Sequence, residues 1–305
     1  MRIIVFHQPF PQGNYKLNEC VANYFISKGH EVYLLEQLNG RQCTPEFVEQ
    51  IKEVKPDMLY FEMLDSETFK VVEQIDCEKI LVYASKGVLK DFKSIIEYKD
   101  KWYTKVYTNS LSLQKMFEDS GIPNGHYQYY PSAITEEEIS FESKYQHDCT
   151  FLGMGFNRVT EDPFEANIWK SNYDFDFKIY GTGWPQFKYY GGLLPREDIG
   201  KLYSSAKSCY SVIGMTQRKM GQINNRYTEI MYSGAPIISY DYEHIDWFGA
   251  KEHMNLIKTH EDFVNVVNNI KNNPGEFRAS AENLKLFIRE KHDRFFWGLD
   301  NIIGE

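Results

Sequence analysis

Short apolar runs alternate along the chain with longer stretches in which apolar residues recur three and four apart. In the first half the runs at 2–7, 30–35, 57–62, 79–84, 105–108 and 126–130 read as strands. Helical spacing fills 15–28, 45–54, 66–75, 88–98 and 110–119, with Gly29 and Gly121 as stops. A second series follows, with strands at 149–152, 175–180, 209–213, 237–241 and 255–257. Its helices are expected at 164–171, 195–207, 225–233, 260–272 and 274–297. Runs that are apolar throughout belong to strands buried on both faces, so each series predicts a parallel sheet covered by helices. Residues 131–147 break the alternation with a polar run and read as an exposed connection. The expected organisation is an α/β domain over 1–140, a second over 148–285 and a terminal helical segment over 286–305.

Composition narrows the class. Net charge is −9, from 34 basic and 43 acidic residues, which opposes a broad basic face for nucleic acid. The 5 cysteines are scattered with no C-x-x-C pair, as in reduced cytosolic proteins. Residues 1–7 read as a first strand and not as a signal peptide. No window approaches the roughly 18 apolar residues of a membrane span, so a cytoplasmic protein is expected. Aromatic residues make up 16% of the chain, enough for both core packing and ring stacking on a ligand.

In parallel sheets ligands sit at the carboxyl ends of strands, so candidate chemistry is sought there. His7 ends the first strand, and the loop after it contains Gly13 but no G-x-G-x-x-G. Glu62 and Asp65 follow the third strand, Ser85, Lys86 and Gly87 the fourth, and Asn109 and Ser110 the fifth. Singly these are ordinary solvated residues. As a set they suit an acceptor pocket, with His7 and Asp65 the candidates for catalysis. In the second half the strand at 149–152 runs into Gly153-Met-Gly155 and then Arg158, a phosphate-facing loop. Gly181-Thr-Gly183 lets backbone approach a ligand closely. Asn224 and Asn225 are cap candidates for a helix that Gly234 and Pro236 terminate. Arg226 and Glu229 project from one face near its start, an anion site beside a hydroxyl-accepting carboxylate. The plainer alternative is a common helix–turn–strand connection bearing a surface ion pair. Asp174-Phe-Asp176 matches D-x-D, but the alternation of Phe175, Phe177 and Ile179 already explains it. The 8 histidines show no zinc spacing, and neither G-x-S-x-G nor a P-loop occurs. No metal is expected.

The order Gly153-Met-Gly155…Arg158, Ile179-Tyr-Gly-Thr-Gly-Trp184, Tyr190-Gly-Gly192, Asn225-Arg-Tyr-Thr-Glu229 and Gly234-Ala-Pro236 resembles the C-terminal domain of GT-B glycosyltransferases. It is most similar to the spore-maturation CgeB-like group, related to the large retaining glycosyltransferase family 4. The resemblance covers about 148–297, and the first half matches in architecture alone. It implies two Rossmann-like α/β domains with parallel sheets facing across a cleft, the first for the acceptor and the second for a nucleotide-sugar. It also implies a final helix, with Phe295, Phe296 and Trp297, crossing back onto the first domain. Donor-binding residues would be Gly153, Gly155, Arg158, Gly181, Gly183, Asn225, Arg226 and Glu229. The retaining family has two Glu separated by seven residues; Glu229 matches the second, and Gly221 stands where the first would be. The implied activity is metal-independent transfer from a UDP-sugar to an acceptor hydroxyl of a glycan, protein or small molecule, without cofactor. A glycosyltransferase for hydroxymethylated DNA bases ranks lower on charge. A non-catalytic sugar-nucleotide-binding protein and a sugar-nucleotide epimerase are the remaining alternatives.

Overall fold

The computed structural model describes residues 1–7, 14–38, 42–62, 66–82, 96–97, 99–108, 110–126, 134–155, 162–243, 245, 249–290 and 297–303. The chain divides into two compact units, Met1–Pro131 with Arg294–Glu305, and Ser132–Asp293.

The first unit follows the alternation. In chain order it contains β1 (Arg2–His7), α1 (Asn14–Ser27), β2 (Glu31–Glu36), α2 (Pro45–Val54), β3 (Met58–Glu62), α3 (Ser66–Val72), β4 (Glu78–Val82), β5 (Lys105–Thr108), α4 (Leu111–Asp119) and β6 (Asn124–His126). The strands form one parallel sheet in the order β2-β1-β3-β4-β5-β6. β6 lies earlier than the run at 126–130 implies, because Asn124 and Gly125 pair with Val106 and Tyr107 in spite of low strand propensity. The helix expected at 88–98 falls mostly outside the described residues. Ile3, Val5, Phe25, Met58, Tyr60, Ile80 and Tyr107 build the core.

The second unit contains β7 (Cys149–Leu152), α5 (Pro163–Lys170), β8 (Phe177–Tyr180), β9 (Tyr190–Gly192), α6 (Ile199–Ser205), β10 (Cys209–Ser211), α7 (Met215–Lys219), α8 (Asn225–Ser233), β11 (Ile237–Tyr240), β12 (Asn255–Ile257), α9 (His260–Asn272) and α10 (Pro274–Glu290). Its parallel sheet runs β12-β11-β10-β7-β8-β9. Phe151, Trp169 and Trp184 meet ring to ring at its centre, with centroids 4.8 to 5.7 Å apart. Much of the aromatic content is therefore core.

The helix expected over 274–297 is present as α10 to Glu290; residues 291–296 lie outside the described residues, and α11 (Trp297–Ile303) packs in the first unit. Leu299 and Ile302 enter that unit's core, and Asp300 accepts from the Tyr24 hydroxyl and pairs with Lys28 at 3.1 Å. Phe295 and Phe296 lie outside the described residues. The polar run before β7 is largely exposed, at Thr135, Glu136, Phe141 and Lys144 among others, but its end is anchored. Tyr145, His147 and Asp148 are buried, and the backbone N–H of Glu142 donates to Ser205 Oγ at 2.7 Å.

Asp198, at the start of α6, holds that segment in place. Its carboxylate accepts from Lys201 at 2.8 Å, Tyr145 Oη at 2.6 Å and Lys144 at 3.3 Å. The Lys201 hydrogen bond, then that of Tyr145, lowers its pKa from 3.8 to about 2. A carboxylate depressed in the folded state contributes stability that is complete above the unfolded value and lost as pH falls through the folded one. The second unit should therefore lose stability between pH 3.8 and about 2 from this group. With both lysines partly exposed, the loss is about 1 kcal/mol. Urea unfolding of wild type and Asp198→Asn across that window checks this; the variant should lack that part of the acid slope.

Candidate donor site

Three loops at the carboxyl edge of the second sheet are tied together by backbone. Gly153 N–H donates to Tyr180 O at 3.0 Å and Gly155 N–H to Thr182 O at 2.9 Å, joining the loop after β7 to the loop after β8. Gly181 N–H reaches Gly192 O at 3.0 Å, and Trp184 Nε1 donates to Gly153 O at 2.7 Å. Gly181 and Gly183 have φ of +117° and +81°, which favour glycine. A Cβ on Gly155 would lie 2.6 Å from Gly183 O and against the Trp184 ring. The glycines read as ligand-approach positions are thus also required by loop packing.

α8 meets this edge with its N-terminus. Asn224 is the N-cap, its side chain accepting from Arg226 N–H at 3.1 Å, and Gly234 closes the helix with φ +76°. Asn225 is no cap: its amide donates to Glu229 Oε1 at 3.1 Å, one turn along. Tyr227 Oη lies between Ser211 O at 3.1 Å and Ser239 Oγ at 2.6 Å, which clamps the helix to β10 and β11.

Of the two residues read as a possible surface ion pair, Arg226 is half-buried and Glu229 is not on the surface. Glu229 is 5% exposed. Burial pushes its pKa up, against the opposing pull of Arg196, Arg226 and the Asn225 hydrogen bond. The Arg226 guanidinium lies over the Phe151 ring, 4.8 Å from its centroid, and donates to Val212 O at 3.0 Å. A Cβ on Gly153 would come within 2.6 Å of Arg226 Nη2. The guanidinium therefore lies against the first glycine of the loop after β7. A carboxylate and a guanidinium, both on rigid elements beside exposed loop backbone, can bind sugar hydroxyls and an oxyanion together.

Gly221 follows α7 with φ +65°, and its N–H donates to Arg218 O at 3.1 Å. A glutamate would be strained at that φ, so the backbone itself opposes a carboxylate at 221.

Sequence reasoning missed Arg218. Its guanidinium pairs with Asp162, reaches Glu165 at 3.5 Å and Ile213 O at 2.9 Å, and covers the Tyr240 ring at 4.7 Å. Asp162 also caps α5, accepting from Phe164 N–H at 3.0 Å. Its carboxylate partners, Asp162 and Glu165, lie more than 50 residues away and leave no local signal.

In the first unit His7 is buried at the end of β1, its carbonyl accepting from Gln37 N–H at 2.8 Å. Asp65 and Arg158 lie outside the described residues, as do Ser85, Lys86, Gly87 and Asn109. Asp176 of the D-x-D pair stands at the amino end of β8 and bonds His147 Nδ1 at 2.8 Å. Among the described residues no group of three or more His, Cys, Asp or Glu is arranged to hold a metal, and no helix is long and apolar enough to cross a membrane.

Residues 163–294 match the family described as glycosyl transferase-like. No curated protein matches the chain. Among solved structures it is similar to a T4 phage β-glucosyltransferase mutant in complex with UDP-glucose, at 12% identity, TM-score 0.69 and 99% coverage of each chain. Anabaena HepE in complex with UDP and glucose gives 11% identity, TM-score 0.64 and coverage of 100% of this chain and 99% of that one. A glycosyltransferase from Rickettsia africae gives 12%, 0.57, 98% and 99%. The fold is GT-B along the whole chain.

Proposed function

We propose that this chain is a glycosyltransferase that takes its sugar from a UDP-linked donor held at the carboxyl edge of the second sheet, as in the CgeB-like group. The observation that carries this reading is buried Glu229 on the same first turns of α8 as Arg226, whose guanidinium lies over Phe151 and against Gly153 of the glycine loop. Glu229 accepts the ribose hydroxyls. Arg226, the N-terminus of α8 and Arg158 take the diphosphate, whose charge grows as the glycosyl bond breaks. Arg and helix dipole do this work without a metal. His7 or Asp65 in the first unit accepts the proton of the attacking hydroxyl. The glycosyl transferase-like match and the UDP and UDP-glucose complexes of the structural neighbours support the donor class. Another structural neighbour is the DNA modifying enzyme β-glucosyltransferase. A net charge of −9 opposes the same polyanionic acceptor here.

A thermal-shift screen with UDP, GDP, ADP and UDP-sugars, in EDTA and in magnesium, tests the donor. A ligand at 100 times its Kd stabilises by about 2.7 kcal/mol. UDP and a UDP-sugar should shift the transition equally in EDTA. No shift with any nucleotide would overturn the donor reading, and a shift confined to magnesium would overturn metal independence.

A further inference from the structure

The Asn225 side chain, half-buried at the start of α8, donates from Nδ2 to Glu229 Oε1 at 3.1 Å. The cap of this helix is Asn224, whose side chain accepts from Arg226 N–H, so the Asn225 amide is committed to Glu229. The Asn225 backbone carbonyl is tied as well, accepting from Thr228 Oγ1 at 2.8 Å. Among the described residues, no other group hydrogen-bonds the Glu229 side chain. On an exposed helix face an amide–carboxylate pair of this spacing adds only a little stability. Here the acceptor is 5% exposed.

Burial disfavours the charged form of Glu229, and what offsets it comes from several elements. Arg196 before α6 and Arg226 on α8 attract the charge, the Asn225 hydrogen bond adds to them, and Glu138 opposes them. Tyr203 on α6 stands within electrostatic reach of the same carboxylate. The arginines act on Glu229 through space and set no direction for it, whereas the amide fixes one oxygen. An N–H donor rewards a carboxylate and gives nothing to a carboxyl proton, so the bond favours the ionised form. A carboxylate has about four acceptor sites. The amide takes one and leaves enough for a pair of neighbouring hydroxyls.

We propose that Asn225 is a positioning residue: its amide holds Glu229 as an oriented carboxylate, and the nucleotide-sugar is touched by Glu229 and not by Asn225. The proposal rests on the donor reading for what the carboxylate accepts, and on the bond to Asn225 for how it is held.

Asn225→Ala and Asn225→Asp separate this role from support of the helix. Alanine is the better helix former, and aspartate in a first turn suits the helix dipole, so α8 survives both changes. Each removes the amide N–H, and aspartate adds a like charge beside Glu229. Carbon NMR of protein labelled at its glutamate carboxyls reads the titration with no ligand present, the Glu229 signal being the one missing from Glu229→Gln. Its midpoint should move to higher pH in Asn225→Ala and higher again in Asn225→Asp. The acid-side loss of UDP affinity should move up with it, so that each variant binds UDP more weakly than wild type at the wild-type midpoint. A Glu229 midpoint in either variant at or below that of wild type would overturn the proposal. Loss of the folded state in both variants would also overturn it, by making Asn225 a support of the helix. Midpoints that rise in order while UDP affinity fails to follow them, or with no UDP binding at all, would sink the donor assignment and leave the hold of Asn225 on Glu229 standing.

Discussion

Gly181→Ala is expected to destabilise the second unit by about 4 kcal/mol, and with it to abolish nucleotide binding. Its φ of +117° is one that side chains rarely adopt, and a Cβ there would lie 2.3 Å from Gly153 O and 3.0 Å from Gly153 C. The obstacle is backbone, and Gly153 cannot yield. Its N–H is bonded to Tyr180 O and its carbonyl to Trp184 Nε1, inside the ring cluster of Phe151 and Trp169. Two other glycines calibrate the effect. Gly192 has φ +109° with nothing within 4 Å, so Gly192→Ala meets backbone strain alone, about 1–2 kcal/mol. Gly275, near the start of α10, has open space and no positive φ. Gly275→Ala should therefore stabilise, by about 0.5 kcal/mol, through the entropy of the unfolded chain. Urea unfolding of the three variants should give the order Gly181→Ala, Gly192→Ala, Gly275→Ala from most to least destabilised. A Gly181→Ala variant no worse than Gly192→Ala would show that the two loops do not pack as described.

The physical basis of what the sequence does and does not disclose is visible in these same residues. Strands such as Arg2–His7 and Cys149–Leu152 were legible because burial on both faces leaves an uninterrupted apolar run. α8 was legible because its cap, its stop and its following strand are all local signals. β9 and α7 were not read as elements: two of the three residues of Tyr190–Gly192 are glycine, and Met215–Lys219 is little more than one turn long. The candidate site divides in the same way. Spacing placed Arg226 and Glu229 on one face. It could not place Phe151 beneath the guanidinium, or disclose that Glu229 is buried, because both depend on strands distant in sequence.

Glu229→Gln and Arg226→Lys should each weaken UDP binding more than tenfold, that is by more than about 1.4 kcal/mol, while both proteins remain folded. The glutamine keeps the shape of Glu229 but replaces a charged acceptor for two hydroxyls with a neutral group that accepts at one atom. Hydrogen bonds to charged groups are worth about 1.5–3 kcal/mol, so the loss should reach ten- to a hundredfold. Arg226→Lys keeps the charge but not the plane. It loses the contact with the Phe151 ring and the reach from Val212 O to the glycine loop, so charge alone should not rescue it. Acid adds a diagnostic that a merely structural role would not produce. Burial holds the Glu229 carboxyl above its ordinary value of 4.5, so it protonates at a higher pH than an exposed glutamate. In the proposed donor site the ionised form takes the ribose hydroxyls, so affinity for UDP in wild type should fall as pH drops through that raised value and be complete above it. UDP has its own phosphate titration, which both proteins share. The difference between them isolates Glu229, and calorimetric titration from neutral pH downward should show the extra acid dependence in wild type and its absence in Glu229→Gln. Identical profiles would remove Glu229 from the donor site, whatever the tenfold loss had suggested.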